Sequence, residues 1–354
     1  MPTTGPSTRN GIWSSPSIFL QAGTGGERFI YAPAVIEEFA SKFAKKITLG
    51  GTPVRAAIAM HKLGHQRTPS GDQQRARAPA PPAGHAVCMQ QRPGHRLSPL
   101  DHPVRPGGTF VRAGDIDIGN GANRIIYHSD VDNVRMAINE EFAALITAAR
   151  VCLVSGFNAM HDRDLLVDRL PRCTSWRTCR PRPRSSTKTP ASTIQLRRAD
   201  CVNTCAQAPH HVSMNEDELQ AYLGAHVDLL DPAQVRSALV ALHAQIPAPT
   251  LVVHSMYWAL AHGPAAASYA AALTGGVTMA TTRFCHGDDF TAADYARIAQ
   301  RPPNPAGARV AQALNQMDPE TICCVPVAHV AQADATTVGL GDALMGGFLP
   351  ALLT

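Results

Sequence analysis

Apolar residues recur at helical spacing in several stretches of the chain. Val35, Ile36, Phe39 and Phe43 share one face between Pro33 and Lys46, and Pro33 suits a first helical turn, where its missing N–H costs nothing. Val134, Ala137, Ile138, Phe142, Leu145 and Ile146 repeat the pattern behind Asp132, a natural cap. Further helices are predicted from Thr52-Pro53 to Gly64, from Asn215 to Gly224, from Asp231-Pro232 onward, and after Phe290 up to about Gln316. Short apolar runs stand among them: Val151-Cys152-Leu153-Val154, Thr250–His254, Val277-Thr278-Met279 and Thr321–Val327. Runs this short and continuous predict strands buried on both faces, as in a parallel sheet. Glu27–Tyr31, Ile47-Thr48-Leu49, Thr109–Val111, Asp115–Ile118 and Arg124–Tyr127 predict shorter strands, the last three separated by glycine turns. Strand, polar turn, helix is the grammar of a doubly wound α/β sheet, whose sites gather at the carboxyl ends of strands.

Two stretches carry neither period. Residues 66–107 hold six Arg against Asp72 and Asp101, and residues 171–211 hold seven Arg and Lys188 against Asp200. Their charges of +4 and +7 exceed the +5 of the whole chain, so everything outside them sums to −6. A basic protein invites nucleic acid as a partner, but here the charge is confined to two segments with almost no aromatics among the arginines, which argues against it. Cys173, Cys179, Cys201 and Cys205, with His210 and His211, lack the short Cys-x₂-Cys knuckle of zinc sites. Nine cysteines, an odd number without a repeating framework, fit reduced thiols. No apolar run reaches the roughly 20 residues that span a bilayer. Met1–Pro6 has neither part of a signal peptide, so a cytoplasmic protein with no membrane partner is expected.

The densest chemistry lies near the C-terminus. Thr336-Thr337-Val338-Gly339-Leu340-Gly341-Asp342 is a glycine-punctuated turn that opens onto the apolar run Ala343–Leu349. Backbone N–H groups at Gly339, Gly341 and Asp342 could converge there on an anion, and the glycines let the backbone come close to a phosphate. Asp342, itself an anion, is ill suited to hold phosphate and well suited to take the proton from an alcohol attacking one. A capping Asp on a glycine-rich helix start is the alternative. Gly50-Gly51-Thr52-Pro53 is either a tight βα turn or a turn that leaves room for a substrate hydroxyl. Asn215 and Glu218 make a capping-box pattern, or face a cleft and organise Mg²⁺ through water. His254 ends a strand as a structural histidine or as a ligand.

Thr336–Ala343, followed by a helix with Gly346-Gly347, resembles the signature of ribokinase-fold sugar kinases, and its long form is most similar to the ADP-dependent glucokinase/phosphofructokinase branch. Gly50–Ala57 resembles the superfamily's sugar-binding Gly-Gly turn, with Thr52 where Asn is common. Ala22–Phe29, which contains Glu27, resembles a lid element reaching the sugar. Asn215-x-x-Glu218 resembles the magnesium/phosphate motif, and Val253–Ala259 the segment beside the nucleotide.

The resemblance implies an α/β fold: a ribokinase-like central sheet flanked by helices, with a small β-rich lid. Lid elements would be 1–32 and 108–129, and the α/β domain 33–65 and 130–354. It implies phosphoryl transfer from ADP to glucose or fructose 6-phosphate, with Mg²⁺ as cofactor. Asp342 would be the base. Gly339, Leu340, Gly341, Thr337 and His254 would line the anion hole and the nucleotide. Asn215, Glu216 and Glu218 would serve the metal, and Gly50, Gly51, Thr52 and Glu27 would meet the sugar. An ATP-dependent carbohydrate kinase of the same fold and a non-catalytic nucleic-acid-binding protein are the alternatives.

The chain also departs from that pattern. No hydrophobic strand ending in Asp precedes Phe29, and the acidic strand-end motif of the family is missing. With guanine assumed at permissive third codon positions, Thr187–Thr193 reread in another frame gives Glu-Asp-Ala-Gly-Val-His, near where that motif belongs. Leu97–Arg105 reread in the same way gives an apolar strand. The expectation is therefore that 66–107 and 171–211 are out of frame and disordered, leaving unpaired sheet edges and an impaired kinase.

Overall fold

Alternation along the strands decides the architecture. In the computed structural model, which describes residues 26–30, 32–41, 51–65, 85–90, 124–129, 135, 150–155, 162, 164–169, 184–188, 211–330 and 338–353, these residues fall into two units. The smaller is a three-stranded sheet of β1 (Gly26–Phe29), β2 (His85–Gln90) and β3 (Arg124–Ser129) in the order β1-β3-β2. β1 runs parallel to β3 and β2 antiparallel to it. Helix α1 (Pro33–Ala40) belongs with this sheet, because its buried face includes Ile36 and Phe39, and Phe39 meets Tyr127 of β3 edge-on at 5.6 Å. α1, expected at the start of the larger domain, falls in the same unit as the small sheet. The predicted strands at 109–111 and 115–118, and the helical residues 42–46, lie outside the described residues.

The larger unit is built on six strands in sequential order: β4 (Val151–Val154), β5 (Arg184–Lys188), β6 (His211–Asn215), β7 (Leu251–His254), β8 (Trp258–His262) and β9 (Ile322–Pro326). β4 to β7 are parallel, and β8 and β9 add on antiparallel. Val212, Met214, Leu251, Val253, Trp258 and Leu260 point to one face, where they pack with α4 (Pro232–Gln245) and α7 (Pro305–Met317) through Leu239, Leu242 and Leu314. Val252, Ala259 and Ala261 point to the other, against α2 (Thr52–Lys62), α5 (Ala270–His286) and α8 (Leu340–Ala351). Each β7 residue is consumed by one layer or the other, which is why the strand reads as an unbroken apolar run.

Three local readings change. Val277-Thr278-Met279 lies inside α5, not in a strand. Helix packing overrides the β preference of Val and Thr there, and the hydroxyls of Thr281 and Thr282 donate back to the carbonyls of Val277 and Thr278 at 2.8 and 2.7 Å. Trp258–His262, rich in Ala and Leu, is a buried strand (β8), paired on both sides. Finally, β2 and β5 lie within the two basic segments, each pairing through its backbone, so the expectation that these segments hold no structure fails at both strands. Backbone pairing needs no apolar period, and β5 closes the gap between β4 and β6 that was expected to leave bare edges. The remainder of 66–107 and 171–210 lies outside the described residues.

α8 sits at the centre of its layer by means of two adjacent glycines. A Cβ on Gly346 would fall 2.4 Å from Ala59 Cβ on α2, and one on Gly347 would fall 2.2 Å from the Gly275 carbonyl on α5. The helix therefore lies against both neighbours at backbone distance, and α2 and α8 are held in fixed register.

Candidate functional site

Two helix starts meet in the larger unit. α2 begins at Gly51 (φ +84°), with Thr52 and Pro53 in its first turn. α8 begins at Gly339 (φ +70°), with Leu340, Gly341 and Asp342 in its first turn and no side-chain cap on the free N–H groups. The first intrahelical bond of α8 runs from the N–H of Ala343 to the carbonyl of Gly339, 3.0 Å. Asp342 Oδ1 accepts a hydrogen bond from the Thr52 hydroxyl at 2.6 Å, across 290 residues of sequence. The Gly-Gly-Thr turn and the Gly-x-Gly-Asp loop, picked out separately in the sequence, are thus one locus. Gly50 and Thr337, which flank it, lie outside the described residues.

Beneath the pair runs Arg55, one turn beyond Thr52. Its guanidinium Nε lies 3.9 Å from Asp342 Oδ2, and its Nη1 lies 3.3 Å from Asp288 Oδ1. Arg283 of α5 reaches the same Asp288 oxygen. Both arginines are buried, at 7% and 5% exposure. The Arg55 side chain also passes under Gly339, where a Cβ would lie 2.7 Å from Arg55 Cδ. Gly339 is therefore required twice, by its positive φ and by the arginine below it. Lys62 closes the far side: its ammonium donates to the carbonyls of Asp288 and Phe290 and lies 4.5 Å from the Phe290 ring centre. Sequence reasoning missed Arg55, Arg283 and Asp288. The available signal was Arg55 itself, an arginine set among the buried Val54, Ala56 and Ala57, because a buried guanidinium requires a carboxylate.

At the carboxyl end of β6, an interior strand, the motif Asn215-x-x-Glu218 does what a helix start does for itself. Asn215 Oδ1 accepts from the N–H of Glu218 at 2.8 Å, and Glu218 Oε2 accepts from the N–H of Asn215 at 2.7 Å, a complete capping box on α3 (Glu216–Leu223). Asn215 ends β6 and pairs in register with His254, which ends β7 and is buried, so these two candidates stand side by side. No group of three or more His, Cys, Asp and Glu able to cage a metal occurs among the described residues. With one oxygen of Asn215 and one of Glu218 committed to the backbone, and Glu216 half-buried beside them, the donor set fits an ion that keeps its water shell rather than one caged by protein oxygens. Glu27 lies in the smaller unit, on β1 opposite Ile126. No helix among the described residues is long and apolar enough to cross a membrane.

A central sheet flanked by helices, with a separate small sheet, is the ribokinase-like class of α/β fold. Within that class the chain shares the fold of the ADP-dependent kinases. It superposes on an ADP-dependent kinase in complex with fructose-6-phosphate and ADPβS with a TM-score of 0.76, at 14% identity, over 98% of this chain and 88% of the other. A hypothetical ADP-dependent phosphofructokinase from Pyrococcus horikoshii OT3 gives 0.68 at 16% identity, over 97% and 87%. The last common ancestor of ADP-dependent phosphofructokinases from Methanosarcinales gives 0.62 at 16% identity, over 97% and 84%. No protein-family model matches the sequence, and no curated protein matches it.

Proposed function

We propose that this chain is a sugar kinase that transfers a phosphoryl group from ADP to a hexose or hexose phosphate, glucose or fructose 6-phosphate, with AMP as the second product. The observation that carries the reading is the 2.6 Å bond from the Thr52 hydroxyl to Asp342, which places an alcohol on the carboxylate that the reaction needs as its base. An acceptor hydroxyl that reaches the same carboxylate hands it a proton while Thr52 keeps Oδ1 in place. Its oxygen forms the new bond to phosphorus, its proton passes to Asp342, and the bridging P–O bond breaks to release AMP. The N–H groups of Gly339, Leu340 and Gly341 at the start of α8 face the charge that develops on the phosphoryl oxygens. Gly51 and Thr52, with Gly50 before them, hold the sugar side. Such a reaction depends on placement more than on covalent chemistry.

Mg²⁺ would be held through water by Asn215, Glu216 and Glu218, and when bound it neutralises phosphate charge. The proposed turnover is low. The resemblance leads one to expect an acidic strand-end motif near Thr187–Thr193, whereas β5 reads Arg184-Ser185-Ser186-Thr187-Lys188, with no carboxylate. The experiment is a radiometric assay of purified protein with Mg²⁺, each sugar, and ADP, ATP or pyrophosphate as donor. Slow hexose phosphate formation from ADP, lowered about 10²–10⁴-fold in Asp342→Asn and faster when both basic segments are returned to the alternate frame with an N-terminal strand added, is the expected result. Transfer from ATP in preference to ADP would move the chain to the ATP-dependent carbohydrate kinases. Equal turnover by Asp342→Asn would remove the base.

A further inference from the structure

We propose that Arg55 is the positioning residue for Asp342, and that Asp288 holds Arg55 in that role; this rests on the phosphoryl transfer proposed above. Thr52 and Arg55 stand three apart on α2, so they share a face. That one face addresses both oxygens of the base: the Thr52 hydroxyl takes Oδ1 at 2.6 Å, and the Arg55 guanidinium stands 3.9 Å from Oδ2. At that separation Arg55 acts through charge and packing, while Thr52 supplies the hydrogen bond.

A guanidinium at 7% exposure cannot sit there unheld. Asp288 fixes it through Nη1 at 3.3 Å, and Arg283 and Lys62 fix Asp288 in turn, the first through its side chain and the second through its carbonyl. The local balance explains the arrangement. Arg55, Arg283 and Lys62 against Asp288 and Asp342 leave one positive charge before reaction. When Asp342 takes the proton of the attacking alcohol, the cluster gains a second beside the α8 N-terminus, as negative charge spreads over the phosphoryl oxygens. Arg55 also underlies Gly339, so the same side chain sets the turn that carries the first N–H groups of α8.

The test uses the full chain and measures labelled hexose phosphate from ADP, however slow, against the Asp342→Asn background. Arg55→Met should lower kcat about 100-fold, the order expected when a reacting group is misplaced by about 1 Å, with KM for sugar and nucleotide little changed. Arg55→Lys should recover part of the loss, because it restores the charge but not the fork to Asp288. Placed on Asp342→Asn, Arg55→Met should cost nothing further, since a residue acting through the base has nothing left to act on. Thermal melts of each variant establish folding, and Arg55→Gln replaces Arg55→Met if the latter does not fold. Wild-type activity retained by Arg55→Met overturns the proposal alone. So does an equal loss in both backgrounds, which would mark a purely structural arginine. Wild-type activity no higher than that of Asp342→Asn overturns the kinase reading and this proposal together.

Discussion

The starts of α3 and α8 carry the same kind of signal and use it in opposite ways. α3 opens behind Asn215 and α8 behind Gly339, and each has an acid three residues past that cap. On α3 the acid and its partner turn inward: Asn215 and Glu218 satisfy one another's backbone, and the box is closed within four residues. On α8 the N-cap is a glycine with no side chain to offer, and Asp342 bonds to a hydroxyl on a different helix. An acid with a complete local role stabilises a helix. An acid whose local role is left open has been placed by the tertiary structure, and there chemistry is to be sought first.

Substitution can break that contrast. The largest effect is expected for Asp342→Asn, which should lower turnover by about 10²–10⁴ while leaving the melting transition in place. Glu218→Gln should lose stability through the broken capping box and, because Glu218 also serves the proposed Mg²⁺ site, need more Mg²⁺, while turnover at saturating Mg²⁺ falls much less than in Asp342→Asn. If Glu218→Gln silences the enzyme as fully as Asp342→Asn, the contrast is gone. Next comes Gly339→Ala. The left-handed turn costs a side chain roughly 1–2 kcal/mol, and the new Cβ would strike Arg55. Disturbing the backbone donors should lower turnover by about 10²; Gly224→Ala, also at positive φ but with open space around it, is the matched control and should cost stability only. Activity preserved in Gly339→Ala would show that the α8 start does not bind the phosphoryl group.

A smaller effect is expected for Asn215→Ala, about 1 kcal/mol by denaturant midpoint, the ordinary value of a lost N-cap. If the variant keeps its stability but needs far more Mg²⁺ for nucleotide binding, the capping box is secondary and the metal role primary. The smallest effect is a background on which both helix starts are read. Burial and the neighbouring His243 hold the His262 imidazole below its ordinary value of about 6.5. The unfolded chain then binds that proton more tightly than the folded one. Stability is therefore complete above about pH 6.5 and falls as the pH drops toward the lowered folded value. Unfolding midpoints at about pH 7.5 and pH 5.5 should show this decline in wild type and in Asn215→Ala alike, and His262→Gln should flatten it.

What the chain alone determined is what local physics can specify. The helix starts at Pro33, Thr52, Asn215 and Asp231 are capping and proline signals, and each marks a helix in the structure. The apolar runs at 151–154, 250–254 and 321–327 are legible as strands because each is short and continuous, and in β7 burial on both faces accounts for the continuity. The Gly339 turn is legible because only glycine accepts its backbone angle readily. The tertiary structure decided the rest. Residues 277–279 became helix because α5 must meet α8 glycine to glycine, a contact no local preference encodes. β2 and β5 are invisible in the side-chain pattern because a strand can pair through its backbone alone. Above all, Thr52 and Asp342 are 290 residues apart, and Arg55, Asp288 and Arg283 come from two helices and a turn. A sequence names the types of side chain at a site; which of them meet depends on chain packing, because charge and hydrogen bonding act over ångströms of space and not along the chain.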